Sequence, residues 1–179
     1  EAIIITHAHE DHIGALMDLW PDLEVPVYAS RFAASLLEIR RFREPGAQRL
    51  PLHPITPGQE IVLGPFRVEA VRMAHSIPES MGLIIKTPLG TVFHSGDWKI
   101  DPTPYVGWVT DEARLRQLGD EGLLALICDS TNATRDGTSP SETEVAATLK
   151  ELIGQAKGRV CVTTFASNVA RIRAAAEAA

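Results

Sequence analysis

The chain has 179 residues, of which 45% are hydrophobic and 22% charged, which is typical of a globular protein with one full core and part of a second. Its longest apolar stretches are far shorter than the roughly 20 residues that span a bilayer, so no membrane segment is expected. The formal net charge of −6 lacks the basic character that nucleic-acid-binding proteins usually carry, although bound dications would add positive charge that this count omits.

Both ends of the sequence look cut. The chain starts with Glu1 instead of methionine and enters a strand-like run at once, and its last helical pattern has no stop signal. We therefore expect a fragment. Cys128 and Cys161 lie in apolar β-like runs, where buried free thiols are usual, so we expect no disulfide and a cytoplasmic location.

The first two thirds of the chain alternate between short strands and helices. Apolar runs bounded by glycine and proline predict strands at 2–5, 25–29, 60–63, 66–72, 82–87 and 91–95, the later ones as hairpins. Helices are predicted at 13–20, ended by Pro21, at 31–43, capped by Ser30, and at 111–118.

The remainder of the chain is typical of βα units. A strand at 123–128 precedes a polar loop, and Ser141 to Glu144 form a capping box that opens a helix to about 156. A strand at 159–165 and a final helix follow. We therefore predict a first domain at 1–140 and the start of a second at 141–179.

The segment with the most chemical information follows the first strand and reads THAHEDHIG from Thr6 to Gly14. His7 and His9 are two residues apart, so in an extended chain their imidazoles project to one side, and neutral imidazole suits zinc. Asp11 and His12 follow where the chain turns into a helix and can face a second ion. A solvated polar loop and a structural metal site are the alternatives. Structural zinc sites prefer cysteine ligands, and no cysteine is near.

This segment resembles the H-x-H-x-D-H signature of the metallo-β-lactamase superfamily. The resemblance implies an α/β (α+β) fold, the αββα sandwich, and two more ligands, His75 and Asp97, at later strand ends. It assigns one ion to His7, His9 and His75 and another to Asp11 and His12, with Asp97 bridging them. Zinc is preferred over manganese for such ligands. A further histidine, expected later in such chains, has no candidate here.

Three later runs resemble the β-CASP branch of that superfamily and, within it, the bacterial ribonuclease J family. They are SGDWKIDPTP from Ser95, LICDSTNA from Leu126 and TTFASN from Thr163. The resemblance implies the start of a β-CASP α/β domain, an RNA substrate, and catalytic roles for Asp11, Asp97 and Asp129, with Asp129 assisting proton transfer. It also implies that Trp98, Ser167 and Asn168 contact substrate. By themselves these residues fit a loop cap at Asp129, a core tryptophan, and a helix N-cap at Ser167.

The resemblance predicts a metal-dependent ribonuclease with 5′-exonucleolytic and endonucleolytic action, forming a homo-oligomer in the full-length protein. Two alternatives stay open. The same fold could hydrolyse a small ester, thioester or lactam, or the fragment could bind RNA or a protein partner without catalysis because its second metal is underbound. We expect weak or no turnover from residues 1–179 alone.

Overall fold

The computed structural model describes residues 1–179, which form two sheets and six helices. The first sheet has the order β1-β2-β3 and is parallel. The second has the order β4-β5-β6-β7-β8, an antiparallel meander to which β8 adds in parallel beside β7. The strands are β1 (Ile3–Ile4), β2 (Val27–Ala29), β3 (Leu52–Pro54), β4 (Glu60–Leu63), β5 (Phe66–Arg72), β6 (Met81–Thr87), β7 (Gly90–His94) and β8 (Ala125–Ile127).

The helices are α1 (Glu10–Ile13), α2 (Leu16–Leu23), α3 (Arg31–Arg43), α4 (Glu112–Glu121), α5 (Glu142–Gln155) and α6 (Val169–Ala178). None of them combines the length and the apolar character that crossing a membrane requires. Helix α3 begins where predicted, because the Ser30 hydroxyl accepts a hydrogen bond from the Ala33 N–H. The capping box at Ser141 and Glu144 is also confirmed.

The helices and sheets form four layers in the order helix, sheet, sheet, helix, and three apolar clusters lie between these layers. The largest joins α2 and α3 to the first sheet through residues such as Met17, Val27 and Leu37. A second, with Ala70 and Met81 at its centre, lies between the sheets, and a third packs α4 on the outer face of the second sheet. Because each sheet buries one face on the other and one on helices, the predicted αββα sandwich is confirmed.

Three predictions about single elements are wrong. Pro21 does not end its helix: α2 continues to Leu23, and the chain leaves it at Glu24, whose φ of 47° is left-handed. Proline removes only its own backbone donor, so the hydrogen bonds of later residues still form. The Glu24 N–H, for example, donates to the Trp20 carbonyl at 2.8 Å. The stretch around His53, which lies outside all of the predicted strands, forms β3. This strand lies at the sheet edge, where its prolines are tolerated, and the exposed His53 ring stacks on Tyr28.

The predicted strand at 159–165 is absent as well. The segment is extended in sequence pattern but pairs with no strand of this chain, and most of it is exposed. Strand propensity needs a neighbouring strand to supply hydrogen bonds, which a local pattern does not reveal. The expected burial of the thiols is also wrong: Cys128 and Cys161 are free, as predicted, but exposed.

Candidate metal centre

The site lies at the ends of three strands, where loops bring six candidate ligands together. Residues 6–9 leave β1 and lead into α1, so His7 and His9 precede this helix while Asp11 and His12 lie in it. His75 follows β5, and Asp97 follows β7. Gly14 allows the tight exit from α1, because a Cβ there would lie 2.4 Å from the Glu10 carbonyl oxygen.

Three imidazoles and one carboxylate form the inner group. Ligand atoms of His7, His9, His75 and Asp97 all lie within 4.8 Å of one another. His9 Nδ1 is 3.1 Å from His75 Nε2. The Nε2 atoms of His7 and His75 are each 3.7 Å from Asp97 Oδ2. The four donor atoms therefore surround one small volume.

The second group shares Asp97 with the first. Asp97 Oδ1 lies 3.3 Å from His12 Nε2, which is in turn 3.8 Å from Asp11 Oδ2. This group is more open to solvent, since the Asp11 side chain is 78% exposed while His7 is fully buried. The two oxygens of Asp97 thus face different groups, as a bridging ligand requires.

Neighbouring hydroxyls set the orientation of two imidazoles. The Thr6 hydroxyl lies 3.1 Å from His7 Nδ1, and the Ser76 hydroxyl lies 3.2 Å from His9 Nε2. If each hydroxyl accepts the ring N–H, the lone pairs of His7 Nε2 and His9 Nδ1 face the inner group. Sequence reasoning did not find Thr6 or Ser76. Their only signal is adjacency to His7 and His75.

The imidazoles are held in the neutral form that binds metals. Burial, followed by the charges of His12, His75 and His9, lowers the pKa of His7 to about 2. Burial, followed by the charge of His9, lowers the pKa of His75 to about 4. Burial also lowers the pKa of His9.

The residues present fit divalent cations. His7 Nε2 is buried and has no hydrogen-bond partner in the protein, a costly state for a polar atom that a metal ion would relieve. The donor set is imidazole nitrogen and carboxylate oxygen, the ligands of zinc and related ions.

Asp129 lies beside this centre. It is close enough to His75 for the two side chains to affect each other's pKa. The hydrogen bonds from Thr131 have the largest effect on the pKa of Asp129. The Thr131 hydroxyl and N–H donate to Asp129 Oδ1 at 2.7 and 2.9 Å and lower the pKa of the carboxyl. Asp129 is therefore an ionised acceptor near neutral pH.

The three predicted substrate contacts occupy different positions. Trp98 packs partly against the core of the second sheet, and its indole N–H points to Cys128 and Asp129. The main chain of Ser167 lies near the His9 ring and partly offsets the lowering of the His9 pKa by burial. Asn168 caps α6 by accepting from the Arg171 N–H at 3.0 Å, so the N-cap reading of Ser167 is wrong by one residue.

Comparison with known proteins identifies the family. The model of the family described as "Beta-lactamase superfamily domain" matches residues 1–118. The chain belongs to this superfamily. All six candidate ligands of the β-lactamase superfamily domain lie inside the matched residues, whereas Asp129 and the segment at 167–168 lie beyond them.

Similar proteins include several that are called ribonuclease J. The protein from Sinorhizobium meliloti is 60% identical over 100% of this chain, which covers 32% of that protein. The protein from Thermus thermophilus is 46% identical over 97% of this chain, which covers 31% of it. The chain therefore spans about a third of the length of these relatives. A crystal structure from Enterococcus faecalis, of a protein of unknown function, shares the fold, with a TM-score of 0.68 and 20% identity over 98% of this chain and 44% of that one.

Proposed function

We propose that the protein containing these residues is a metal-dependent ribonuclease that hydrolyses RNA phosphodiesters, with 5′-exonucleolytic and endonucleolytic action. The observation that carries the proposal is the placement of Asp97 between two ligand groups, each oxygen within 3.7 Å of an imidazole nitrogen. The identity of 60% to a protein called ribonuclease J favours RNA as the substrate.

We assign one ion to His7, His9 and His75, the other to Asp11 and His12, and the bridge to Asp97. Zinc is the preferred ion, and manganese would also be accepted by these ligands. When bound, such a pair of ions would lower the pKa of a water molecule towards neutral pH and would stabilise the attacking and leaving oxygens of an in-line displacement. Bound dications would also offset the acidic net charge of −6 that opposes binding of RNA.

The chain's own residues supply orientation and proton transfer. Thr6 and Ser76 hold the rings of His7 and His9, and neighbours of this kind commonly fix the ligating tautomer. Asp129 would assist proton transfer near the leaving oxygen, a role that its lowered pKa and its charge interaction with His75 support. Ser167 and Asn168 are proposed to line the base of the RNA cleft.

The remaining assignments are proposals about the full-length protein. We assign residues 1–140 to the catalytic domain and 141–179 to the start of a β-CASP domain. A homo-oligomeric state and a cytoplasmic location stay predictions.

The test is RNA cleavage by the full-length gene product with and without a chelator. We expect EDTA to abolish cleavage, added zinc or manganese to restore it, and Asp97→Asn to lower it at least about 100-fold, since a bridging charge is lost. Asp120→Asn is the matched control, because Asp120 is exposed on α4.

Equal RNA cleavage by the chelated and the metal-loaded protein would refute the proposal. Hydrolysis of a thioester, ester or lactam without action on RNA would favour the small-substrate alternative. That alternative uses the same metal chemistry and differs only in what the cleft admits.

A further inference from the structure

The peptide unit of Asp129 is held from both sides by the loop that carries Asp97. The Asp129 N–H donates to the Ser95 hydroxyl oxygen at 3.0 Å. The Trp98 indole N–H donates to the Asp129 carbonyl oxygen at 3.3 Å and also approaches Cys128 Sγ at 3.2 Å. We call the two hydrogen bonds that Ser95 and Trp98 make to the main chain of Asp129 the clamp. Ser95 and Trp98 flank Gly96 and Asp97, so four consecutive residues contain both the clamp and the proposed bridging carboxylate.

Both sides of the clamp rest on rigid structure. Ser95 is 2% exposed, its hydroxyl donates to the Gly96 carbonyl at 2.6 Å, and its N–H bonds to the Ile127 carbonyl at 2.9 Å, next to the pairing of β7 with β8. Trp98 packs against the apolar cluster formed by Val71, Met73, Ile84, Phe93 and Leu118. Residues 130–140, by contrast, are exposed and contain no helix or strand.

We propose that Trp98 is a positioning residue that, together with Ser95, fixes the Asp129 carboxylate relative to Asp97. The inference rests on the proposed function, in which Asp129 transfers a proton at the centre that Asp97 bridges. Trp98 then acts through its indole N–H on the protein main chain. This differs from the substrate contact that the sequence resemblance implied for it, where the ring face would stack on a base.

The two roles predict different kinetic changes. A misplaced proton-transfer group slows the chemical step, and a displacement of about 1 Å can cost roughly 100-fold in rate. Loss of a stacking contact instead weakens binding of RNA. Trp98→Phe retains an aromatic ring for packing and for stacking but removes the N–H. We therefore expect kcat for RNA cleavage to fall by about 10-fold to 100-fold, with KM nearly unchanged.

The control is Trp108→Phe in the same full-length protein. Trp108 is also partly buried, but it packs against the separate cluster around Ile55, Ala70 and Met81. We expect Trp108→Phe to retain the wild-type kcat. Asp129→Asn and the double variant with Trp98→Phe complete a mutant cycle, in which a residue that acts through Asp129 adds little to the loss from Asp129→Asn.

A second measurement does not depend on activity. Amide hydrogen exchange of a peptide covering residues 126–132 should become faster in Trp98→Phe and stay at the wild-type rate in Trp108→Phe, because the clamp restrains this segment. If the wild-type protein does not cleave RNA, the proposed function fails and this exchange measurement alone decides the clamp.

Unchanged exchange in Trp98→Phe would overturn the inference. So would a kcat equal to that of Trp108→Phe, an effect confined to KM, or losses that multiply fully in the double variant with Asp129→Asn. Faster exchange together with a kcat loss absent from the Asp129→Asn background would support it.

Discussion

A single methyl group at Gly96 should disturb the candidate metal centre. Gly96 has a φ of +59°, which is left-handed, and an added Cβ would lie 3.0 Å from the Met81 carbonyl oxygen and 3.1 Å from Thr6 Cβ. An L-residue in this region costs about 1–2 kcal/mol, and overpacking adds about 1–3 kcal/mol. We therefore expect Gly96→Ala to lower the free energy of unfolding by about 2–5 kcal/mol.

Gly46→Ala separates the two contributions. Gly46 also has a left-handed φ, +82°, but an added Cβ would meet nothing within 4 Å. This variant should lose only the backbone part, about 1–2 kcal/mol. Urea denaturation of the metal-free proteins measures both losses.

Gly96→Ala should also weaken zinc binding, because Thr6 and Gly96 adjoin His7 and Asp97, whose facing atoms are 3.7 Å apart. Changes next to ligands commonly reduce metal affinity by about 10–100-fold. Zinc titration against a competing chelator measures this. Equal stability losses in the two variants, with unchanged zinc affinity in Gly96→Ala, would refute the reasoning.

Three further predictions concern stability. For the metal-free protein, burial holds the pKa of His7 at about 2 against 6.5 unfolded, so the unfolded chain alone gains the proton below pH 6.5. Stability from His7 should thus be complete above that pH and about 1.4 kcal/mol smaller at pH 5.5. Urea denaturation at pH 7.5 and 5.5 measures it, and an identical pH dependence in His7→Gln would contradict it. Leu118→Ala should cost about 2–5 kcal/mol, because Leu118 is 1% exposed. Leu124→Ala, at a side chain 62% exposed, should stay within about 0.5 kcal/mol, and equal losses would refute this contrast. Glu79→Ala should cost about 1 kcal/mol in thermal unfolding, because its carboxylate accepts from the Phe32 N–H at 2.8 Å in the first turn of α3. Glu79→Gln keeps an acceptor and should lose less stability. A larger loss of stability in Glu79→Gln than in Glu79→Ala would contradict the capping role.

The elements predicted best are those whose signal is local. Helix α3 has its own cap at Ser30, and the hairpin of β6 and β7 has its own turn, so each was predicted nearly to the residue. The predictions for β3 and for the segment at 159–165 are wrong in opposite directions: β3 is a strand that was not predicted, and 159–165 is a predicted strand that is absent. β3 pairs with β2, whereas 159–165 pairs with no strand, and a local sequence pattern does not indicate whether a neighbouring strand is present.

The candidate site divides in the same way. The motif from His7 to His12 is contiguous, so its residues had to be near one another. His75 and Asp97 were assigned through the family resemblance, since their proximity to His7 depends on how the two sheets pack. The hydroxyl partners Thr6 and Ser76, and the clamp on Asp129, are visible only in the folded structure, because serine and threonine beside a ligand are common in any loop.

In the proposed centre, Asp97 lies between two cations. Anomalous diffraction at the zinc edge, from zinc-loaded crystals of the full-length protein, tests it most directly. We predict two peaks, one beside His7, His9 and His75 and the other beside Asp11 and His12, with the Asp97 carboxylate between them. Crystals that show no peak within reach of Asp97, or peaks only at other surface residues, would contradict the account.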